Sequence, residues 1–131
     1  MIEQVLQSLT NSLERLIDRI SEIESRIQSE KIRWTDEQIS AGVITATSKA
    51  VRLEPETGTS DTLDTINGGY DGMVVVISNK DSGDTITLSN ATGNLQIGSS
   101  VVHNDIYDTT TVIYRSSDAV WVLASWIVTG K

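Results

Sequence analysis

The chain has no cysteine, no phenylalanine, one proline and one histidine among 131 residues. Without cysteine there is no disulfide framework and no thiolate metal site. With His103 as the only imidazole, catalysis that depends on histidine has a single place to stand. No long apolar run is present, and Met1 leads straight into an amphipathic pattern without a basic leader. Neither a cleaved signal nor a membrane span is therefore expected, and synthesis in a cytoplasm is. Bases are also scarce, with 10 Lys and Arg against 18 Asp and Glu, for a net charge of -8. Residues 1–34 hold six acids and five bases (net -1), and residues 35–131 hold twelve and five (net -7). An acidic C-terminal part argues against binding a phosphate backbone, which needs a basic face.

The chain does have a ladder of large aliphatics in a 4-3-4-3 spacing: Ile2, Leu6, Leu9, Leu13, Leu16, Ile20, Ile23, Ile27. A period of 3.5 keeps one seam facing a partner only if helices supercoil, so residues 1–34 read as a coiled-coil stalk. With Leu6, Leu13, Ile20 and Ile27 at a, the others fall at d, while Val5 at g and Ile17 at e widen the stripe. A wide stripe and Ile at both a and d favour more than two strands. Arg19-Ile20-Ser21-Glu22-Ile23-Glu24 adds a flank in which Arg19 at g can cover the seam and pair with Glu24 of a neighbour. That arrangement resembles the Arg-h-x-x-h-Glu signature of short trimeric coiled coils. The expectation is a parallel homotrimer.

The seam falters at Glu30, and Trp34 returns at a. Thr35-Asp36-Glu37-Gln38 has the form of a capping box, with Gly42 placed to end a short helix, so residues 35–42 read as a joint. The alternative is one helix running on to Ser40. From Val43 the period becomes two. Strands are expected at 43–47, 50–54, 73–78, 85–89, 94–97, 111–116 and 120–126. Met73–Ile77 is continuously apolar and reads as a central strand covered on both faces. Residues 78–84 read as a hairpin loop, with further turns at 89–93 and 116–118. No internal repeat is visible. Residues 43–131 are expected to form a mainly antiparallel β-sandwich, jelly-roll-like, which makes the chain α+β overall.

Chemistry has few candidates. His103 lies between Val102 and Asn104 in an expected loop, no spacing builds a Ser-His-Asp triad around it, and an exposed or subunit-interface position is expected. Asp81, Ser82 and Asp84, and likewise Asp105 and Asp108, could offer oxygens to a hard cation, but neither group completes a calcium loop. Turn chemistry, with carboxylates bonding nearby amides, is the expectation there. Gly68-Gly69-Tyr70-Asp71-Gly72 precedes a strand instead of following one, so it reads as a tight turn or close chain approach, not a phosphate cradle. Aromatic rings can stack on sugars, and Tyr70, Tyr107 and Trp126 are the candidate glycan contacts. Packing in the core and between subunits is the competing role for the head aromatics. A glycan-cleaving enzyme would need a pair of carboxylates, and no spacing selects one. No catalytic residue, cofactor or metal is expected.

Leu63-Asp64-Thr65-Ile66-Asn67-Gly68-Gly69-Tyr70-Asp71-Gly72, followed by an aliphatic strand, resembles an L-x-T-I-x-G-G-x-x-G turn found near the C-termini of tailed-bacteriophage virion proteins. Asp84-Thr85-Ile86-Thr87-Leu88 and Gly93-Asn94-Leu95-Gln96-Ile97 resemble the hairpin that follows it, and Asp108, Ile113, Tyr114 and Trp121 the ending. The match covers residues 43–126, and the order of its parts is more specific than any one of them. It implies a trimeric phage fibre or spike, with a β-sandwich head on a coiled-coil stalk. With no tail anchor expected ahead of the heptads, a head fibre or capsid decoration spike fits better than a long tail fibre. The implied partners are capsid or tail proteins, and for a receptor-binding tip a host surface glycan. Nucleic acid and membrane insertion are not expected.

Overall fold

A computed structural model describes residues 1–30 and 33–129, with the side chains of 27–30 excepted. The chain divides into two compact units, Met1–Lys31 and Ile32–Lys131. The first is one helix, α1 (Ile2–Glu30). Its seam is continuous, and Thr10 returns its hydroxyl to the Leu6 carbonyl at 2.9 Å, so that polar side chain serves itself.

Among the described residues the second unit has eleven strands: β1 (Trp34–Gln38), β2 (Val43–Thr45), β3 (Ala50–Glu54), β4 (Ser60–Leu63), β5 (Thr65–Asn67), β6 (Val74–Asn79), β7 (Thr85–Leu88), β8 (Leu95–Gln96), β9 (Val101–His103), β10 (Thr109–Arg115) and β11 (Val120–Ile127). They form a six-stranded sheet β1-β3-β6-β10-β11-β8, a pair β2-β5 and a three-stranded sheet β4-β7-β9. Together with α1 the chain is α+β, but the β unit is a solenoid and not the expected sandwich. Five of its eight strand pairings are parallel: β1–β3, β3–β6, β2–β5, β4–β7 and β8–β11. Each circuit of the chain lays a strand beside the matching strand of the previous circuit, which is how a solenoid stacks. The crossover that parallel strands require is supplied by strands of the other sheets.

Side chains alternate in and out, and the inward ones stack from circuit to circuit. Val51 meets Ile77 in the first sheet, Ile44 meets Ile66 in the second, and Leu63 meets Leu88 and then Val101 in the third. These side chains are buried in one hydrophobic core with Ile39, Leu53, Val75, Ile86, Leu95 and Trp121. The circuits differ in length, which is why no repeat shows in the sequence. Trp34 pairs with Ala50, an offset of 16 residues, and Ala50 with Val76, an offset of 26. The last circuit reverses direction. β9 runs antiparallel to β7, β10 to β6 and β11 to β10, which closes the stack with hairpin-like pairing.

Several local expectations are corrected. Residues 35–38 are strand, not a capped helix, and Trp34 opens β1 instead of returning to the seam. The capping-box signal is local, whereas β1 gains a full parallel ladder with β3 and the Asp36–Arg52 ion pair at 2.8 Å. Ala41 and Gly42 both have positive φ (51° and 81°), as a two-residue type I′ connection requires, and Ser40 and Val43 bond across it. Residues 78–84 are a corner between sheets, because β6 and β7 lie in different sheets, and β7 and β8 are likewise not a hairpin. β4, β5 and β9 are additional strands. β6 is central, flanked by β3 and β10, but only its inner face is covered within the chain. Val75 and Ile77 are fully buried, while Val74 keeps 40% of its surface exposed.

Candidate functional site

Three places in the chain invite a functional reading, and the first is α1. Ile2, Val5, Leu6, Leu9, Leu13, Leu16, Ile17, Ile20 and Ile23 expose between 46% and 77% of their surface. Arg19 and Glu24 on the same helix are exposed as well, and Ile27 lies outside the described side chains. Gln7 and Asn11, bonded to each other at 3.1 Å, occupy b and f on the polar side. A helix isolated in water is marginal, so this stripe calls for a packing partner.

The second place is the set of exposed aromatics. Tyr70, Tyr107 and Trp126 are all exposed, but the strands part them. Tyr70 precedes β6, and its carbonyl accepts the Met73 amide at the start of that strand. Tyr107 precedes β10 at the far end, beside the end of β11 where Thr109 pairs with Ile127 and Thr110 with Trp126. Tyr107 and Trp126 therefore share one end of the β10–β11 pair, and Tyr70 lies at the other, about 20 Å of strand away. The other two head aromatics are internal. Tyr114 and Trp121 pack with centroids 5.0 Å apart, and the Trp121 indole donates to the Ile66 carbonyl at 3.0 Å.

Gly69 makes room for that pair. A methyl group there would lie 2.7 Å from Tyr114 ring carbons and 2.9 Å from the Trp121 ring. The glycine-rich segment is thus a turn serving internal packing.

The third place is a buried polar cluster at the closed end of the solenoid. Two of the inward stacks turn polar, where Ile77 is followed by Thr110 and Ile86 by His103, whereas Val75 is followed by Val112 and Leu88 by Val101. Thr110 and His103 meet across the interior, His103 Nε2 and Thr110 Oγ1 sharing a hydrogen bond of 2.7 Å. His103 is fully buried, not exposed or at a subunit surface as expected. Asn79 donates through Nδ2 to the carbonyls of Asp84 and His103. Ser78 Oγ lies 2.7 Å and 2.8 Å from the carbonyls of Ile106 and Asp108. Asp108 accepts the amides of Asn104 and Asp105 through Oδ2, and the amide and hydroxyl of Thr129 through Oδ1. Asp105 Oδ1 accepts the Tyr107 amide. Asp105 and Asp108 therefore bond neighbouring amides, the turn chemistry expected of them.

Burial raises the cost of charge throughout this cluster. It pushes the His103 pKa down to about 4, against a smaller upward pull from Asp108. The His103 Nδ1 is buried without a hydrogen-bond partner among the described residues, so a proton there would find no acceptor. Burial also acts to raise Asp108, but the Thr129 and Asn104 amides, the Thr129 hydroxyl and His103 together hold it below the usual carboxylate range. Asp84 is pushed up by burial, and further by Asp81 and Glu54. Among the described residues no group of three or more His, Cys, Asp or Glu side chains is placed to hold a metal ion. Nor is any helix among them long and apolar enough to cross a membrane.

No protein-family model matches the chain, and no curated protein is detectably similar to it. The buried cluster was illegible from sequence because its bonded members lie far apart in the chain, Ser78 and Asp108 by thirty residues. Only the two aspartates that flank the β9–β10 turn carried a signal.

Proposed function

We propose that the protein is a non-enzymatic structural component of a bacteriophage virion, a homotrimeric head fibre or capsid decoration spike. The observation that carries the oligomer is the exposed heptad stripe of α1. Each large aliphatic buried by association is worth roughly 1.5–3 kcal/mol, so the eight-position seam gives ample drive for assembly. Ile at a and d shifts the preference to three or more chains, and the Arg19 and Glu24 flank favours three. Three β units on one axis then match a threefold position on a particle, and weak contacts gain avidity from matched symmetry. The phage assignment rests on the ordered motifs of residues 63–121 and their resemblance to virion proteins.

The test begins with native mass by light scattering behind a sizing column. Three chains give about 43 kDa, three times 14.3 kDa. A monomer or dimer would overturn the trimer. Binding of the labelled protein to capsids that lack it is the expected second result.

A receptor-binding tip that recognises a host surface glycan is the second reading. It is favoured by Tyr107, 70% exposed, and Trp126, 56% exposed, at one end of the β10–β11 pair. Labelling of host cells that disappears after glycan stripping would select this reading over decoration.

A further inference from the structure

We infer that Asn67 is a site of spontaneous self-modification, at which the Gly68 amide nitrogen attacks the side-chain amide and converts it to aspartate and isoaspartate. Asparagine is a chemically labile side chain. It is most labile before glycine, where no Cβ hinders the attacking nitrogen. Asn67-Gly68 is the one Asn-Gly pair in the chain. Asn67 is the last residue of β5 and is exposed, and its side chain makes no hydrogen bond among the described residues. The fold itself demands the glycine. Gly68 has a φ of 89°, and a Cβ there would lie 3.1 Å from the Ala46 carbonyl oxygen.

The nucleophile singles this pair out. The Gly68 amide finds no acceptor among the described residues. The Asn67 carbonyl is held by the Ala46 amide at 2.8 Å, but β5 ends there and no ladder fixes Gly68 beyond it. Elsewhere the following amide is engaged. The Lys80 amide after Asn79 donates to the Leu53 carbonyl, and the Ala91 amide after Asn90 to the Leu95 carbonyl. The Asp105 amide after Asn104 donates to Asp108. Asn94 is bonded at both side-chain atoms by Ile66, and Asn11 lies within α1. Asp71-Gly72 is the other pair able to close such a ring. There the Gly72 amide donates to the Tyr114 carbonyl, and the Asp71 carboxylate accepts the Ser116 amide.

The reaction needs only water. The Gly68 amide gives its proton to hydroxide, and its nitrogen bonds to Asn67 Cγ. The Cγ–Nδ2 bond breaks, and the nitrogen leaves as ammonia with a proton from water, which restores the hydroxide. Water then adds to the cyclic imide. Opening at Cγ leaves aspartate, opening at the main-chain carbonyl leaves isoaspartate, and in both the Gly68 nitrogen regains its proton. Each product adds a negative charge. Isoaspartate also adds a main-chain methylene between two fixed points. On one side is Ile66, whose carbonyl accepts the Trp121 indole, and on the other is Gly69, against which the Tyr114 and Trp121 rings pack. The lengthened backbone no longer fits both, so isoaspartate loosens the packing of the β unit.

The test ages the full-length folded protein at neutral and at mildly alkaline pH, then digests it at acid pH for peptide mapping by mass spectrometry. Conversion of the Asn67 peptide is expected to be at least about tenfold faster than that of any other asparagine peptide, since their amides must first give up a hydrogen bond. It should quicken at the higher pH and yield isoaspartate as the larger product. An Asn67 that stays intact in the folded chain overturns the inference, whether or not it converts in urea. Equal conversion at another asparagine overturns it as well. Aspartate without isoaspartate means direct hydrolysis and removes Gly68 as the nucleophile. Asn67→Gln, whose longer side chain closes the ring far more slowly, should abolish the change in intact mass. A change that persisted at the natural rate would place the reaction elsewhere.

Discussion

At the scale of single residues, the end of the solenoid is held by groups that must stay in one protonation state. The His103 pKa falls from 6.5 to about 4 on folding, so between those values the unfolded chain binds more protons than the folded one. Its contribution is complete above about pH 6.5, declines as the pH falls towards 4, and is flat below that. A shift of this size corresponds to about 3 kcal/mol. Asp108, held low, adds a loss at still lower pH, whereas Asp84, held high, works in the opposite direction. Urea midpoints measured from pH 7.5 to 4 should fall for the natural chain and flatten for His103→Gln. Equal slopes would mean that the buried imidazole is not neutral. Gly69→Ala tests packing at the same scale. Its methyl group meets the Tyr114 and Trp121 rings, and overpacking of that kind costs about 1–3 kcal/mol. The urea midpoint should drop without a change in native mass.

At the scale of elements, α1 and the strands answer to different forces. The helix needs a partner for its seam, and the proposed trimer supplies one. Ile20→Asn together with Ile23→Asn puts two amides into that seam and is expected to leave monomers at low micromolar concentration in light scattering, with the strand signal in circular dichroism retained. A trimer that survived would show the β units holding it alone. The strands depend on side chains that imitate backbone where the ladder is broken. Asn94 accepts the Ile66 amide at 2.9 Å and donates to the Ile66 carbonyl at 2.8 Å, replacing a missing strand neighbour between circuits. Asn94→Ala should cost about 1–3 kcal/mol, because the Ile66 amide loses its acceptor in a partly buried place. β1 shows how far local signals carry. Thr35 to Gln38 spell a helix start, yet pairing with β3 decides for strand.

At the scale of the whole molecule, a solenoid and a sandwich are built from the same short alternating strands and differ in which strand lies beside which. Parallel stacking gives this unit three outer faces, one of which carries the exposed Trp34 and Val74 beside the paired charges of Asp36, Arg52, Glu54 and Lys80. The proposed fibre should then melt at a temperature that rises with protein concentration, since dissociation and unfolding are linked in an oligomer held by its stalk. A melting temperature independent of concentration over a hundredfold range would argue against assembly.

The sequence by itself determined the helix and its seam, because a 3.5-residue period is written in consecutive positions of one segment. It also determined the β character after residue 43, the span of β3 at Ala50–Glu54 and the β10–β11 turn, since alternation and turn residues are local. Of the candidate sites, the exposed aliphatic stripe of α1 was legible, and the bonding of Asp105 and Asp108 to nearby amides was foreseeable from their turn. Tertiary structure alone decided the rest. It placed His103 in the interior, because Thr110 and Ile86 arrive from other strands. It separated Tyr70 from Tyr107 and Trp126, because β6 and β10 lie between them. It also left the outer face of β6 uncovered: an apolar run such as Met73–Ile77 states that both faces want cover, and only the stacking of circuits says which one the chain covers for itself.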